Sequence, residues 1–372
     1  MRILLICEGL EGTDGWSRYS ANLRQALLAK GHIVMMCTHK KNGEDYAILP
    51  PPLRMMTRPY LGWFLAMHLK RIVQKEHVDV VHFTVEPYAL CMAFLPASIR
   101  KRSVVTIHGN YGIRPLRWWA SKWLAQAMLQ HVHQCIAVST FTRDAVAKEV
   151  FWNHNLHEAF LKKTHVVHNG IPLPPYTPRM TYSPVHQILF VGGVKISKGI
   201  LEAIRGCAAY KKQFGSTFHF SIAGAIDEAS TSATALRSLI AESELQEETS
   251  ILGRVDDATL EQLYEKADIL LMPSLTTQDT FEGFGLVYIE ANAHGVPVIG
   301  PDRSGSTEAI ANGKSGYTVD VKNPEAIADA LHKILDKHTI SPDGCRQWAE
   351  SFSVDHMTNA TIDSYDKARC AS

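Results

Sequence analysis

Cysteine is scarce in this chain. Of 372 residues only seven are Cys, at positions 7, 37, 91, 135, 207, 345 and 370. The number is odd, the positions are scattered and no two form a C-x-x-C. That excludes a disulfide framework or a cysteine-based zinc site and points to a reducing, cytoplasmic setting. Long apolar runs are missing too: the longest, such as 61–69 and 88–97, reach about ten residues, where a spanning helix needs about 20. The opening MRILLIC is too short for a signal-peptide core and reads as a first β-strand. There is no internal repeat. No Asp-x-Asp and no His/carboxylate cluster at ligand spacing occurs, so neither a metal nor another resident cofactor is expected. G-x-G-x-x-G after a strand is absent, and so is the G-x-S-x-G elbow. A nicotinamide dehydrogenase and an α/β-hydrolase therefore drop out.

What is present is ordinary globular material, 46% hydrophobic and 20% charged, enough for two cores. The net charge of +1 hides a division. Residues 1–180 hold 22 Lys and Arg against 11 Asp and Glu, and residues 181–372 hold 16 against 26. A basic half is suited to an anionic membrane surface, a phosphorylated ligand or nucleic acid, but no nucleic-acid-binding motif accompanies it.

Short apolar runs alternate with amphipathic stretches almost throughout, which predicts parallel sheets covered by helices. Strands are expected at 2–7, 33–38, 79–83, 104–108, 135–139 and 165–168, with helices at 16–30, 60–75, 115–131 and 141–150. A Pro-rich stretch with Pro172, Pro174, Pro175, Pro178 and Pro184 reads as a linker. Alternation resumes with strands at 187–191, 218–223, 250–252, 269–272, 296–299 and 317–319. The expected organisation is a first Rossmann-like domain over 1–172, a linker over 173–186, a second over 187–352 and a tail over 353–372. Ligands of such sheets bind at the C-terminal strand ends, so the cleft between domains is the expected site.

One segment is the most informative: Glu282-Gly283-Phe284-Gly285-Leu286-Val287-Tyr288-Ile289-Glu290. Two glycines precede a helical run, so backbone N–H groups are exposed at a helix start, a ready anion site. Glu290 lies roughly 7.5 Å along the helix from Gly285 at about 1.5 Å per residue. Carboxylates on both sides of an anion site fit a ligand with hydroxyls at both ends, as in a sugar nucleotide.

This segment resembles the E-x7-E signature of glycosyltransferase family 4, retaining enzymes of the GT-B fold. Gly192-Gly193-Val194-Lys195-Ile196-Ser197-Lys198-Gly199 is similar to the family's diphosphate-binding G-R-x-x-x-x-K-G. Gly253-Arg254-Val255, the stretch from Leu263 to Asp268, and Ser304-Gly305-Ser306-Thr307-Glu308 resemble further family blocks. So do Gly15-Trp16-Ser17-Arg18-Tyr19, Gly31-His32, Thr106-Ile107-His108 and Asn169-Gly170-Ile171 in the first half. The resemblance implies that Lys198 and Glu282 are catalytic, with His108 touching the transferred sugar without acting as a formal base. It implies donor contacts from Gly15, Gly193, Lys195, Arg254, Gly283, Phe284, Gly285, Leu286 and Glu290, and places Trp16, Arg18 and Asn110 on the acceptor side. Two positions depart from the family: Gly193 stands where an Arg is usual, so Lys195, Arg254 or Arg18 would replace that cation, and Pro172 stands where an acidic residue is common.

The expected partners are a nucleotide-sugar donor, UDP- or GDP-linked, and a lipid-linked, glycolipid or cell-surface polysaccharide acceptor. No nucleic acid is expected. A small soluble acceptor, a sugar-nucleotide epimerase and a non-enzymatic nucleotide-sugar-binding module remain open alternatives. An apolar face of Leu116, Trp119, Ala120, Trp123, Leu124 and Ala127 on one helix, bordered by Arg117 and Lys122, suits either an anionic membrane surface or an ordinary core helix whose basic stems reach outward, and the membrane surface is the expectation. The tail, with Val354, Met357, Ala360, Ile362 and Tyr365 as its apolar face, is expected to return to the first domain.

Overall fold

The computed structural model describes residues 1–9, 15–39, 45–177 and 185–370. Most of the glycine loop over 8–15, and Pro178 and Pro184, lie outside these residues. The chain divides into two compact units, Met1–Pro172 with Ser353–Ser372, and Leu173–Phe352.

The first unit is a seven-stranded sheet in the order β3-β2-β1-β4-β5-β6-β7, parallel throughout. Its strands are β1 (Arg2–Ile6), β2 (Ile33–Thr38), β3 (Tyr46–Ala47), β4 (Val80–Phe83), β5 (Ser103–Ile107), β6 (Gln134–Ala137) and β7 (Thr164–Val166). Its helices are α1 (Gly15–Ala29), α2 (Pro52–Thr57), α3 (Tyr60–Lys75), α4 (Glu86–Ala89), α5 (Ala97–Arg100), α6 (Asn110–Arg117), α7 (Lys122–His131), α8 (Thr140–Val150) and α9 (His154–Lys163). Ile3 to Cys7 are fully buried, as a central strand covered on both faces requires. Helix α1 buries Tyr19, Leu23, Ala26 and Leu27, one stripe at helical spacing.

The second unit is a six-stranded parallel sheet in the order β10-β9-β8-β11-β12-β13. It holds β8 (His186–Val191), α10 (Ile200–Phe214), β9 (Phe218–Ala223), α11 (Thr231–Glu242), β10 (Thr249–Gly253), α12 (Asp257–Lys266), β11 (Ile269–Leu271), α13 (Leu286–Ala293), β12 (Val298–Pro301), β13 (Gly316–Val319), α14 (Pro324–Leu335) and α15 (Pro342–Glu350). The described part of the Pro-rich stretch is fastened to this unit. Arg346 donates to the Pro174 carbonyl at 2.8 Å and Tyr176 donates to Asp343 at 2.9 Å. Among the described residues no helix is long and apolar enough to cross a membrane.

Two expectations are corrected. The helix over 115–131 is two helices, because Trp118 is extended (φ −89°, ψ 124°) and ends α6. Buried Ser121, whose hydroxyl donates to the Pro115 carbonyl at 3.1 Å, fixes the turn between them. The supposed single apolar face is therefore split: Leu116 and Leu124 point inward, while Trp119 is 84% and Trp123 49% exposed.

The second correction concerns α16 (Val354–Cys370), which belongs to the first unit. Val354, Ala360 and Ile362 are only half-buried, and the packed face is Met357, Thr358, Thr361, Ser364, Tyr365 and Ala368. Hydroxyls can line that face because Thr361 and Ser364 donate to the carbonyls of Met357 and Ala360, 2.8 and 3.4 Å away.

The Tyr365 hydroxyl is hydrogen-bonded to His82 Nδ1 (2.7 Å), His82 Nε2 to the Thr106 hydroxyl (2.8 Å), and that hydroxyl to Tyr19 (3.0 Å). This buried chain ties α16 to β4, β5 and α1. Tyr365→Phe leaves a buried ring nitrogen unpaired and should lower unfolding free energy by about 1–3 kcal/mol in urea denaturation. Burial also depresses the His82 pKa from 6.5 to about 3. Unfolding then takes up a proton between those values, so this stability is complete above pH 6.5 and is lost as pH falls towards 3. The acid limb of the stability–pH curve should be shallower in His82→Asn than in wild type.

Candidate functional site

Both sheets reverse their strand order once, between β1 and β4 and between β8 and β11. At such a reversal the loops following the two strands diverge and leave a crevice at their C-terminal ends. The candidate residues gather at these two places, one in each unit.

In the second unit, β8 runs into the loop Gly192 to Gly199, and β11 into Met272-Pro273-Ser274. Gly199 has φ +74°, and a Cβ there would stand 1.7 Å from the Pro273 carbonyl oxygen. Only glycine permits this approach. Leu275 N–H donates to the Ser197 carbonyl at 2.9 Å, joining the two loops from the other side. Lys198 is thereby held so that its Nζ lies 2.7 Å from Glu282 Oε2. Both side chains keep partial access to solvent. The Glu282 carbonyl accepts from Gly305 N–H at 2.9 Å, which brings the 304–308 block against the same turn.

Helix α13 starts four residues after Glu282. Its N-cap, Gly285, has φ +83°, and a Cβ there would strike the Tyr288 ring at 2.5 Å. No side chain caps α13 and no acidic residue occupies its first turn, so its N-terminal dipole and first N–H groups favour an anion. The Tyr288 hydroxyl donates to the Met272 carbonyl at 2.5 Å and fastens α13 to the end of β11. Gly283 and Phe284 are buried, and Leu286 is half-buried. Further along α13, Glu290 Oε2 accepts from the Tyr264 hydroxyl at 3.0 Å. Tyr264 stacks on His294 with ring centroids 5.3 Å apart. Burial lowers the His294 pKa.

Two other cations named from the sequence lie in this unit. Lys195 is exposed, and Arg254 is exposed after β10, two strands from β8. A side chain at Gly193 would meet nothing nearer than 3.6 Å. The backbone thus does not require glycine there, and the missing Arg is a change of chemistry rather than of fold.

In the first unit, His108 follows β5. Its Nε2–H donates to the Thr84 carbonyl (3.0 Å), and its ring meets Tyr19 edge-on at 4.7 Å. Its backbone N–H donates to Glu86 Oε1 at 2.6 Å. Glu86 is 1% exposed, and burial pushes its pKa up to about 7 against the pull of backbone N–H donors. Asn110 opens α6 and Gly15 opens α1. Trp16 contacts the Tyr111 ring at 4.7 Å, and the Arg114 guanidinium lies 5.2 Å over Tyr111. Arg18 is half-buried.

Two of the residues that shape these places, Glu86 and Tyr264, escape sequence reasoning. Glu86 has a signal, a lone carboxylate among apolar neighbours in a stretch otherwise poor in acid. Tyr264 reads simply as a core aromatic. Chemically, the second-unit cluster couples a cation, a carboxylate and an uncapped helix start, a combination that takes a polyanion with hydroxyl-bearing groups beside it.

Comparison with known proteins gives two family models that match the chain. Glycosyl transferases group 1 matches residues 182–351, and Glycosyltransferase Family 4 matches residues 13–173. The chain is 28% identical over 242 residues to a D-inositol 3-phosphate glycosyltransferase of Jonesia denitrificans, covering 60% of this chain and 56% of that one. The match thus spans about half of that relative's length. It is 24% identical over 360 residues to a glycogen synthase of Mycobacterium tuberculosis, covering 87% and 82%. Among solved structures, Anabaena Alr3699/HepE in complex with UDP superposes with a TM-score of 0.71 at 16% identity, over 98% of this chain and 100% of that one. With both halves matched and two parallel sheets of this type, the chain belongs to glycosyltransferase family 4 and has the GT-B fold.

Proposed function

We propose that the protein transfers a hexose from a UDP- or GDP-sugar to a hydroxyl of a lipid-linked, glycolipid or cell-surface polysaccharide acceptor, with retention at the anomeric carbon and without a metal. The observation that carries this reading is the Lys198–Glu282 pair of 2.7 Å beside the uncapped start of α13. UDP in the Anabaena neighbour supports a nucleotide-sugar donor.

The pair suggests an exchange of partners. Donor diphosphate takes over Lys198, and the α13 N–H groups share its charge. Glu282, released from Lys198, accepts from the sugar hydroxyls. As the glycosidic bond breaks, negative charge grows on the departing diphosphate, and a fixed cation and oriented dipoles stabilise it without reorganisation. No carboxylate is assigned as a nucleophile, so we infer same-face attack by the acceptor hydroxyl, assisted by the leaving phosphate. Glu290, oriented by Tyr264, is assigned to the donor ribose. From the first unit, His108 is assigned to the transferred sugar, and Trp16, Arg18 and Asn110 to the acceptor. The name of the inositol-phosphate relative favours a second reading of the acceptor, a small soluble phosphorylated compound.

A thermal-shift panel of UDP- and GDP-sugars identifies the donor, since a ligand bound only by the folded state raises the melting temperature. With that donor, proton NMR of the product should show the donor's anomeric configuration kept, and excess EDTA should leave turnover unchanged. Inversion would overturn the mechanism, and donor conversion without an acceptor would point to an epimerase. Lys198→Ala and Glu282→Ala should each lower kcat by about 10²-fold or more. Glu290→Ala should mainly raise the donor KM, because a ribose contact is equal in ground and transition states. Lys198→Ala turnover within a few-fold of wild type would remove Lys198 from the chemistry.

A further inference from the structure

Five of the chain's seven tryptophans, Trp63, Trp118, Trp119, Trp123 and Trp152, are exposed, and all five belong to the first unit. Tyr60, Phe64 and Phe151 are exposed with them. None of the described aromatic side chains of the second unit is exposed to this degree. Scattered apolar side chains on a surface need no explanation, but a contiguous group does.

Five of the rings are linked, and Trp118 and Trp119 lie in the turn just before α7. On α3, Phe64 contacts Trp63 at 5.0 Å and Tyr60 at 6.4 Å. A Cβ on Gly62 of the same helix would lie 3.1 Å from Phe94, and Phe94 meets the Trp123 ring of α7 at 5.8 Å. The Lys122 ammonium then lies 4.9 Å over Trp152, just beyond α8. An aromatic band therefore runs from α3 across Phe94 to α7 and the end of α8.

The charges on this face are mostly of one sign, the exceptions being Glu149 of α8, paired with Arg117, and Glu76 after α3, paired with Lys75. Helices α2, α3, α6 and α7 contain no Asp or Glu, and they carry Arg54, Lys70, Arg71, Lys75, Arg114, Arg117 and Lys122. From Pro87 to Arg143 the sequence has no acidic residue. A second copy of this chain on the same face would set cations against cations in a two-fold contact. A bilayer suits it better: Trp and Tyr rings settle at the headgroup level, and cations around them meet anionic headgroups.

We propose that this aromatic and basic face of the first unit docks the protein on an anionic phospholipid surface. The docking goes beyond the sugar-transfer reading and does not depend on it, since it needs neither donor nor acceptor.

The test is flotation of the full chain with phosphatidylcholine vesicles, and with vesicles containing about one third phosphatidylglycerol as the anionic lipid. Binding to the anionic vesicles at low salt, a blue shift of tryptophan emission, and release at high salt are expected. Trp119→Ser with Trp123→Ser should lower the partition coefficient at least about tenfold. Lys70→Gln with Lys122→Gln should lower it about fivefold per cation and flatten the salt dependence. Trp119→Ser alone is the safeguard should the double variant fail to fold. Melting temperatures of the folded variants should match wild type, separating lost docking from lost structure.

Three outcomes would overturn the proposal. One is no binding to anionic vesicles at low salt, and another is equal binding by wild type and the tryptophan variants. The third is a wild-type dimer in ultracentrifugation that the tryptophan variants convert to monomer without any lipid binding. Failure here would leave the sugar-transfer reading intact, because donor binding and the retention of anomeric configuration are measured without vesicles.

Discussion

A backbone contact governs the chemistry of the second unit. Gly199 approaches Pro273 so closely that no side chain fits between them, and this sets two loops, separated by 70-odd residues of sequence, side by side. Lys198 and Glu282 are brought together by that contact rather than by their own attraction. A half-exposed ion pair contributes little by itself, about 0–1 kcal/mol. In the proposed sugar transfer its worth lies in pre-placement, with a cation and a carboxylate set side by side before any ligand arrives. The same economy appears at α13, where Gly285 turns the chain so that the helix begins without a cap.

The sheets were legible because parallel strands covered on both faces must be short, nearly continuous Val, Ile and Leu runs. Two glycines before a helical run were legible as an anion site for an equally physical reason. Other features were not. The stretch Trp118-Trp119-Ala120 satisfies helical periodicity as well as it satisfies an exposed turn, and periodicity cannot tell a buried aromatic from an exposed one. The packed face of α16 is made partly of Thr and Ser, which read as solvent-facing until their hydroxyls are seen returning to helix carbonyls. The bonds that organise the site, Glu86 to the His108 amide and Tyr264 to Glu290, join positions on different elements. No local pattern carries them.

The division of charge between the two halves has a structural counterpart. The acid-poor helices α2, α3, α6 and α7 all belong to the first unit, and so do the exposed tryptophans. The second unit shows neither feature among its described residues. Its acidic residues include Glu282 and Glu290, flanking the helix start at which an anion is favoured. Net charge near zero thus conceals two units of opposite charge, and the sum over the chain says nothing about either.

The return of α16 has a consequence for how the molecule is made. The His82–Tyr365 bond joins residues 283 apart, and all of the second unit is encoded between them. A ribosome releases the second unit's last strand before it has supplied the helix that completes the first unit's core. During synthesis, β4 and β5 therefore wait with an open flank, a buried histidine still wet, while a whole second domain is translated. The first unit to begin is the last that can finish.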